Sequence, residues 1–107
     1  MSFAQNLATL SVATGTDTGG AWKQAGNGLT AVTATLGGSA TAATVLIEGS
    51  IDLVGSVLLA TITLSGTTTS DGVSFPDSVN FPYIRAHVTS FTGTGSVTTS
   101  AIIEGGV

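Results

Sequence analysis

Apolar and polar residues alternate along most of this chain, in short runs separated by glycine-rich segments. A period of two is typical of β-strands that bury one face. The alternating runs cover 7–13, 28–36, 43–51, 56–64, 73–75 and 81–103. Glycine mixed with threonine, serine or aspartate predicts loops or turns between and within them, at 14–20, 37–42, 52–55, 66–72 and 92–95. In the 21–28 segment we expect one brief extended piece.

The alternation also predicts which side chains form the core. The expected inward positions are Leu10, Val12, Val32, Ala34, Leu36, Val45, Ile47, Ile51, Leu58, Ala60, Ile62, Leu64, Ile84, Ala86, Val88 and Ser90. The opposite face of the last run carries Tyr83, Arg85, His87, Thr89 and Phe91, and we expect this face to point outward. The TGTG at 92–95 then predicts a turn, which makes 81–103 a β-hairpin.

These short runs predict the fold class. Seven or eight short strands with glycine turns are typical of an all-β fold, an antiparallel β-sandwich or a jelly roll. Pro76 and Pro82 each follow a phenylalanine, at an expected strand end and strand start, where a missing N–H costs least. The 107 residues contain no linker or long repeat. We therefore expect one domain over 1–107, with 1–6 as a candidate flexible N-terminal arm.

Composition narrows the function classes. The chain has no cysteine, which excludes disulfides, thiolate metal sites and thiol catalysis. Two basic residues and a net charge of −4 argue against binding nucleic acid. No apolar run approaches the roughly 18 residues of a membrane helix, and the N-terminus lacks the pattern of a secretory signal, so we expect cytoplasmic synthesis. The charged fraction is only 7%, which fits either permanent assembly or a monomer with a threonine-rich surface.

Candidate catalytic motifs are weak. The DTG at 17–19 resembles half of an aspartic protease site, which a homodimer would complete, but its glycine-rich surroundings favour a turn. His87 is a candidate general base, yet the chain has no G-x-S-x-G elbow, so a structural role is favoured. The carboxylates considered as calcium ligands, which lack the dense spacing of a calcium loop, are Glu48, Asp52, Asp71 and Asp77. We predict no catalytic, cofactor or metal site.

Two further side chains allow more than one role. Arg85 either pairs with a carboxylate across the sheet or contacts a partner protein, since arginine is enriched at interfaces. Trp22 lies beside Lys23 in an expected loop. Its indole would stack on a sugar, contact a neighbouring subunit or simply pack.

Three segments resemble a known class of proteins. The runs ATVLIEGSID, LLATITLSGTTTSDG and FPYIRAHVTSFTGTGSVTT resemble small β-sandwich structural proteins of tailed bacteriophages. The resemblance covers 43–99 and depends most on YIRAHVTS and the glycine turn after it. Those proteins often carry a tryptophan between the EGS strand and the next one, where DLVGSV in this chain has none.

The resemblance implies a non-enzymatic capsid decoration (cement) protein of the virion surface, made in the cytoplasm of the host bacterium. It implies a homo-oligomer, with a trimer favoured, that binds the major capsid protein. Neither nucleic acid nor membrane is an expected partner. The residues expected at interfaces are Met1, Ser2, Phe3, Trp22, Phe75, Phe81, Tyr83, Arg85, His87 and Phe91. The alternative is a carbohydrate- or ligand-binding β-sandwich module of a phage tail or fibre, with the protease third.

Overall fold

The computed structural model describes residues 5–16, 21–24, 29–79 and 81–104. The strands in this part of the chain are β1 (Gln5–Ala13), β2 (Lys23–Gln24), β3 (Leu29–Ser50), β4 (Val57–Leu64), β5 (Ser70–Val79) and β6 (Tyr83–Glu104). All pairings are antiparallel. The all-β, antiparallel prediction is confirmed. None of these residues belongs to a helix long and apolar enough to cross a membrane.

Strands β3 and β6 form the frame of the fold. Each is 22 residues long, and they pair with each other from one end to the other. Straight strands of that length would span about 70 Å, whereas the longest dimension of the Cα trace is 42 Å. Both strands therefore bend, and their pairing continues through the bend from Leu36↔Val97 to Ala43↔Phe91.

The structure has a bend in paired strands at two places where turns were predicted. Residues 37–42 and 92–95 stay paired inside β3 and β6, so the hairpin expected within 81–103 is a single strand, and the prediction of seven or eight short strands is wrong. Gly38, Gly93 and Gly95 have φ of 65°, 99° and 150°. Glycine reaches these angles at little cost, so it re-aims the strands without ending the ladder. The composition that marks a turn therefore marks a strand corner here.

The bend divides the sheet into two sets of strand segments. On one side the order is β1-β6-β3-β5, and on the other it is β2-β6-β3-β4. Buried residues from both sets belong to one hydrophobic cluster, so their inner faces pack together. All six described strands belong to one sheet, so the finer prediction of a sandwich or jelly roll stays a prediction.

Most of the expected inward positions are buried. Those below 5% exposure are Leu10, Val32, Ala34, Val45, Ile47, Ile62, Leu64, Ile84, Ala86 and Val88. Leu36 and Ala60 are partly buried against this cluster. The period of two therefore identified the core rows wherever the ladder is regular.

Three core predictions are wrong, two because the strand pairing is irregular and one because its strand ends. Val12 is 62% exposed, because a register shift after Thr9 turns Ala13 inward in its place. Ile51 is 73% exposed, since β3 has ended one residue earlier. Leu58 is 57% exposed, and the register shifts opposite it, where β3 passes from Ile47 to Glu48. β-Bulges change which face a residue occupies, and the residue pattern does not reveal them.

Two further predictions near strand irregularities are corrected. Ser90 was expected in the core and Phe91 on the outer face. A shift in the pairing around Thr89 exposes Ser90 and packs Phe91 against the core.

Strand β5 begins at Ser70, so the expected 66–72 loop is shorter and the expected 73–75 strand is longer.

The corner at Gly93 generates a stability prediction. A Cβ at this position would lie 2.5 Å from the Ser39 carbonyl oxygen, at a φ of 99° that other residues rarely adopt. We expect Gly93→Ala to lower the free energy of unfolding by about 2–4 kcal/mol, measured by urea denaturation. Gly66→Ala is the matched control, because nothing lies within 4 Å of its Cβ. Equal stability of the two variants would contradict a strained corner at Gly93.

Candidate interaction surface

The outer face of the β2-β6-β3-β4 set carries a cross-strand row of distinctive side chains. Arg85 on β6 pairs in register with Glu48 on β3, which pairs with Leu58 on β4. Trp22 precedes β2 and lies against Arg85 from the other side. The chain's only tryptophan and only arginine are therefore direct neighbours on this face.

Arg85 is held on both sides. Its Nε donates a hydrogen bond of 2.8 Å to Glu48 Oε1, and the two side chains are only 20% and 12% exposed. Its guanidinium carbon lies 4.2 Å from the centroid of the Trp22 ring, within the range of a cation–π contact. Of the two roles predicted for Arg85, the structure contains the ion pair with a carboxylate on the neighbouring strand. The charges of Arg85 and Glu48 therefore stabilise this face of the sheet.

His87 lies next to the Arg85–Glu48 pair but makes no hydrogen bond to it. Its Nδ1 lies 3.6 Å from Glu48 Oε1, beyond hydrogen-bond distance, and this buried atom has no hydrogen-bond partner among the residues that the structure describes. A histidine base in a triad needs a carboxylate that orients its ring. The arrangement therefore lacks the oriented imidazole of a triad. No group of three or more metal-binding side chains occurs within the described residues either.

The loop between β3 and β4 has a fixed internal structure. The Ser50 hydroxyl, on a side chain 1% exposed, donates to the Gly55 carbonyl at 2.5 Å and accepts from the Leu53 N–H at 2.9 Å. Asp52 Oδ1 accepts the N–H groups of Val54 and Gly55, at 2.9 Å each. These bonds hold Leu53 at a φ of 66°, a left-handed conformation that costs energy for such a residue. The loop is therefore preformed.

This loop and the start of β4 expose apolar side chains. Of the six large apolar residues that are exposed in the described part of the chain, five lie here, so the exposure is concentrated and not scattered. We name these five the apolar ridge: Ile51, Leu53, Val54, Val57 and Leu58. The sequence signal for part of it was the pair Leu53 and Val54 within the predicted turn at 52–55, because turns usually lie at the surface.

Strand β4 also leaves one backbone edge open. Among the described strands it pairs only with β3. Its sequence, VLLATITL, contains no charge and no proline. Charges, prolines and bulges are the usual means of keeping an edge strand from pairing with another chain. The apolar ridge therefore borders an edge with only its single bulge to protect it.

The predicted interface residues are distributed between this face and the core. Phe75, Phe81 and Phe91 are partly buried against the hydrophobic cluster. The Phe81 ring covers Gly49 so closely that a Cβ there would lie 2.6 Å from it. Tyr83 is partly buried at the start of β6, beside Ser50 in register.

Several predictions lie outside the described residues. These are the interface residues Met1, Ser2 and Phe3, the arm at 1–6 apart from the backbone of Gln5 and Asn6, and the DTG motif with Asp17. The side chain of Asp77 is also outside them. Of the other carboxylates considered as calcium ligands, Asp71 accepts the N–H of Gly72 at 2.8 Å.

The comparisons with known proteins give no relative. Neither the protein-family models nor the curated proteins nor the solved structures contain a match to this chain.

The Arg85–Glu48 contact predicts energetic coupling. We expect a double-mutant cycle of Arg85→Ala and Glu48→Ala, measured by urea denaturation, to give a coupling free energy of about 1–2 kcal/mol. Arg85→Ala with Asp71→Ala is the control cycle and should be additive, since Asp71 lies on β5 in the other set. Trp22 emission should shift in Arg85→Ala, because the guanidinium covers the ring. Additivity in the first cycle would contradict the coupling.

The Asp52 carboxylate predicts a pH dependence. Hydrogen bonds from Val54 and Gly55 N–H lower its pKa from the usual 3.8. A lowered pKa stabilises the folded state above the unfolded value, and this contribution is lost as the pH falls through the folded value. We expect a carbon-13 NMR titration midpoint below 3.8. As the pH falls below 3.8, the free energy of unfolding should decrease less in the Asp52→Asn variant than in the parent, because Asn has no carboxylate to protonate. A midpoint at or above the usual value would contradict the loop structure.

Proposed function

We propose that this protein is a non-enzymatic structural component of a tailed-phage virion, in the first place a capsid decoration protein. In this role it binds the outer surface of the major capsid protein shell and stabilises it. The protein is made in the cytoplasm of the host bacterium and acts on the virion surface.

The apolar ridge is the observation that carries the proposal. A concentrated apolar surface marks a place of contact with another protein. Because Ser50 and Asp52 already hold the loop, binding would cost little ordering entropy. A preformed apolar surface next to an open strand edge suits permanent assembly, in which both features are covered.

The charges of the site support binding without chemistry. Glu48 is engaged by Arg85, and the His87 Nδ1 has no hydrogen-bond partner among the described residues. The chain has only two basic residues, and one of them is this arginine. Too little positive charge remains to neutralise phosphates. Protein is therefore the partner class that these residues suit best.

A homo-oligomer is part of the proposal, with a trimer favoured by the resemblance to phage decoration proteins. Permanent assembly also explains how a chain with 7% charged residues stays dispersed in its working state. Closed symmetric assemblies cover such surfaces without leaving one exposed at an end.

The carbohydrate-binding module is the second candidate and has less support. It would use Trp22 as a stacking platform, because sugars stack on exposed aromatic faces. Arg85 already lies 4.2 Å over that ring, and Trp22 is only partly exposed. One ring face is thus occupied by the protein itself.

Binding to shells tests the proposal. We expect the purified protein to co-sediment with capsids of its own phage at a fixed, saturable copy number, and to raise the temperature at which the shells break. Capsids of an unrelated phage serve as the control. Glycan binding that Trp22→Ala abolishes, with no binding to shells, would overturn the proposal in favour of the second candidate.

A further inference from the structure

The two basic residues of the chain have different surroundings. Arg85 is engaged by Glu48 and Trp22. Lys23 lies on β2, is exposed, and makes no ion pair with any other residue that the structure describes. Among the described residues, β2 pairs with β6 alone, and Lys23 is the basic side chain without an ion pair.

Asp52 presents the opposite charge within the apolar ridge. It is exposed, and its Oδ1 accepts two backbone N–H groups, so the carboxylate is fixed in place. Lys23 lies at the far side of the same strand set, in the order β2-β6-β3-β4. At about 4.8 Å per strand, the two edges are roughly 14 Å apart. Within one protomer, this separation keeps the two charges apart.

We propose that copies of this chain associate head to tail, the β4 edge and apolar ridge of one copy seated against the β2 edge of the next, with Asp52 paired to the neighbouring copy's Lys23. This contact specifies which surfaces join the copies of the proposed homo-oligomer. It rests on the proposed function for the number of copies.

Charge complementarity identifies a second copy as the occupant. The ridge carries a carboxylate, and the β2 edge carries the available ammonium group next to Trp22. Both edges belong to one strand set, so backbone pairing between copies would extend a single sheet. The ridge supplies the apolar area, and the charge pair fixes the register of the contact.

A symmetric contact of β4 with β4 fits the charges less well. It would place two ridges and their Asp52 carboxylates in one interface and leave Lys23 unpaired. A head-to-tail contact joins two different surfaces and closes into a ring when the rotation between copies allows it. The proposed trimer is such a ring.

Charge removal tests this contact. We expect Asp52→Asn, which keeps Oδ1 as the acceptor of the two loop N–H groups, and Lys23→Gln each to raise the dissociation constant of the oligomer at least about threefold, measured by sedimentation velocity at fixed ionic strength. The combined Asp52→Asn/Lys23→Gln variant should stay within about twofold of either single variant, because each single change already removes the pair. Asp71→Asn is the matched control, because it makes the same charge change on β5. Urea denaturation confirms that each variant is folded.

A second pair of variants tests the apolar part. Val54→Ser with Leu58→Ser should dissociate the oligomer, whereas Val12→Ser, at an exposed position on β1, should not. A parent protein that is monomeric at all concentrations would overturn the proposal. So would weaker association of Asp52→Asn without weaker association of Lys23→Gln, or full additivity of the two effects in the combined variant.

The outcomes separate this inference from the proposed function. An oligomer with the expected charge dependence that ignores capsids would reject the decoration role and leave the contact standing. Capsid binding by a protein whose association is insensitive to both charges would reject the contact and leave the decoration role standing.

Discussion

The antiparallel pairing of β3 with β6 is the constraint on which the rest of the structure depends. Two strands of 22 residues pair with each other through a corner, so the ladder continues, with register shifts, where the sheet changes direction. Every other strand pairs with one of these two. The corner glycines make this geometry accessible, and the bend brings the inner faces of both sets into one core.

The same frame explains where the candidate interaction surface lies. Because β3 and β6 stay in continuous register from Ser50↔Tyr83 to Ile47↔Ala86, Glu48 and Arg85 are direct cross-strand neighbours. Their pairing, backed by Trp22, gives the outer face a rigid centre. The loop that follows β3 folds over Ser50 and presents apolar side chains. The ion pair of Arg85 and Glu48 therefore lies next to the exposed apolar ridge. A fixed surface with exposed apolar side chains is typical of a contact between proteins.

The sequence predicted the strands and most core rows, because alternation is a local signal. It placed Val45, Ile47, Ile84 and Val88 correctly. It misassigned Val12, Leu58 and Phe91, since bulges near them depend on how two distant segments align. The glycines at 37–38 and 93–95 indicated a change of direction but not its kind. For the site, alternation grouped Arg85 and His87, while the Glu48 partner and the Trp22 contact required the register between strands.

The central proposal is that this protein is a structural subunit of a phage particle, assembled through its own sheet edges. Electron cryo-microscopy of the proposed particle tests it most directly. The account predicts density for the all-β domain on the outer surface of the shell, with neighbouring copies joined where β4 of one meets β2 of the next. Absence of the protein from the particle, or copies that touch only through other surfaces, would contradict it.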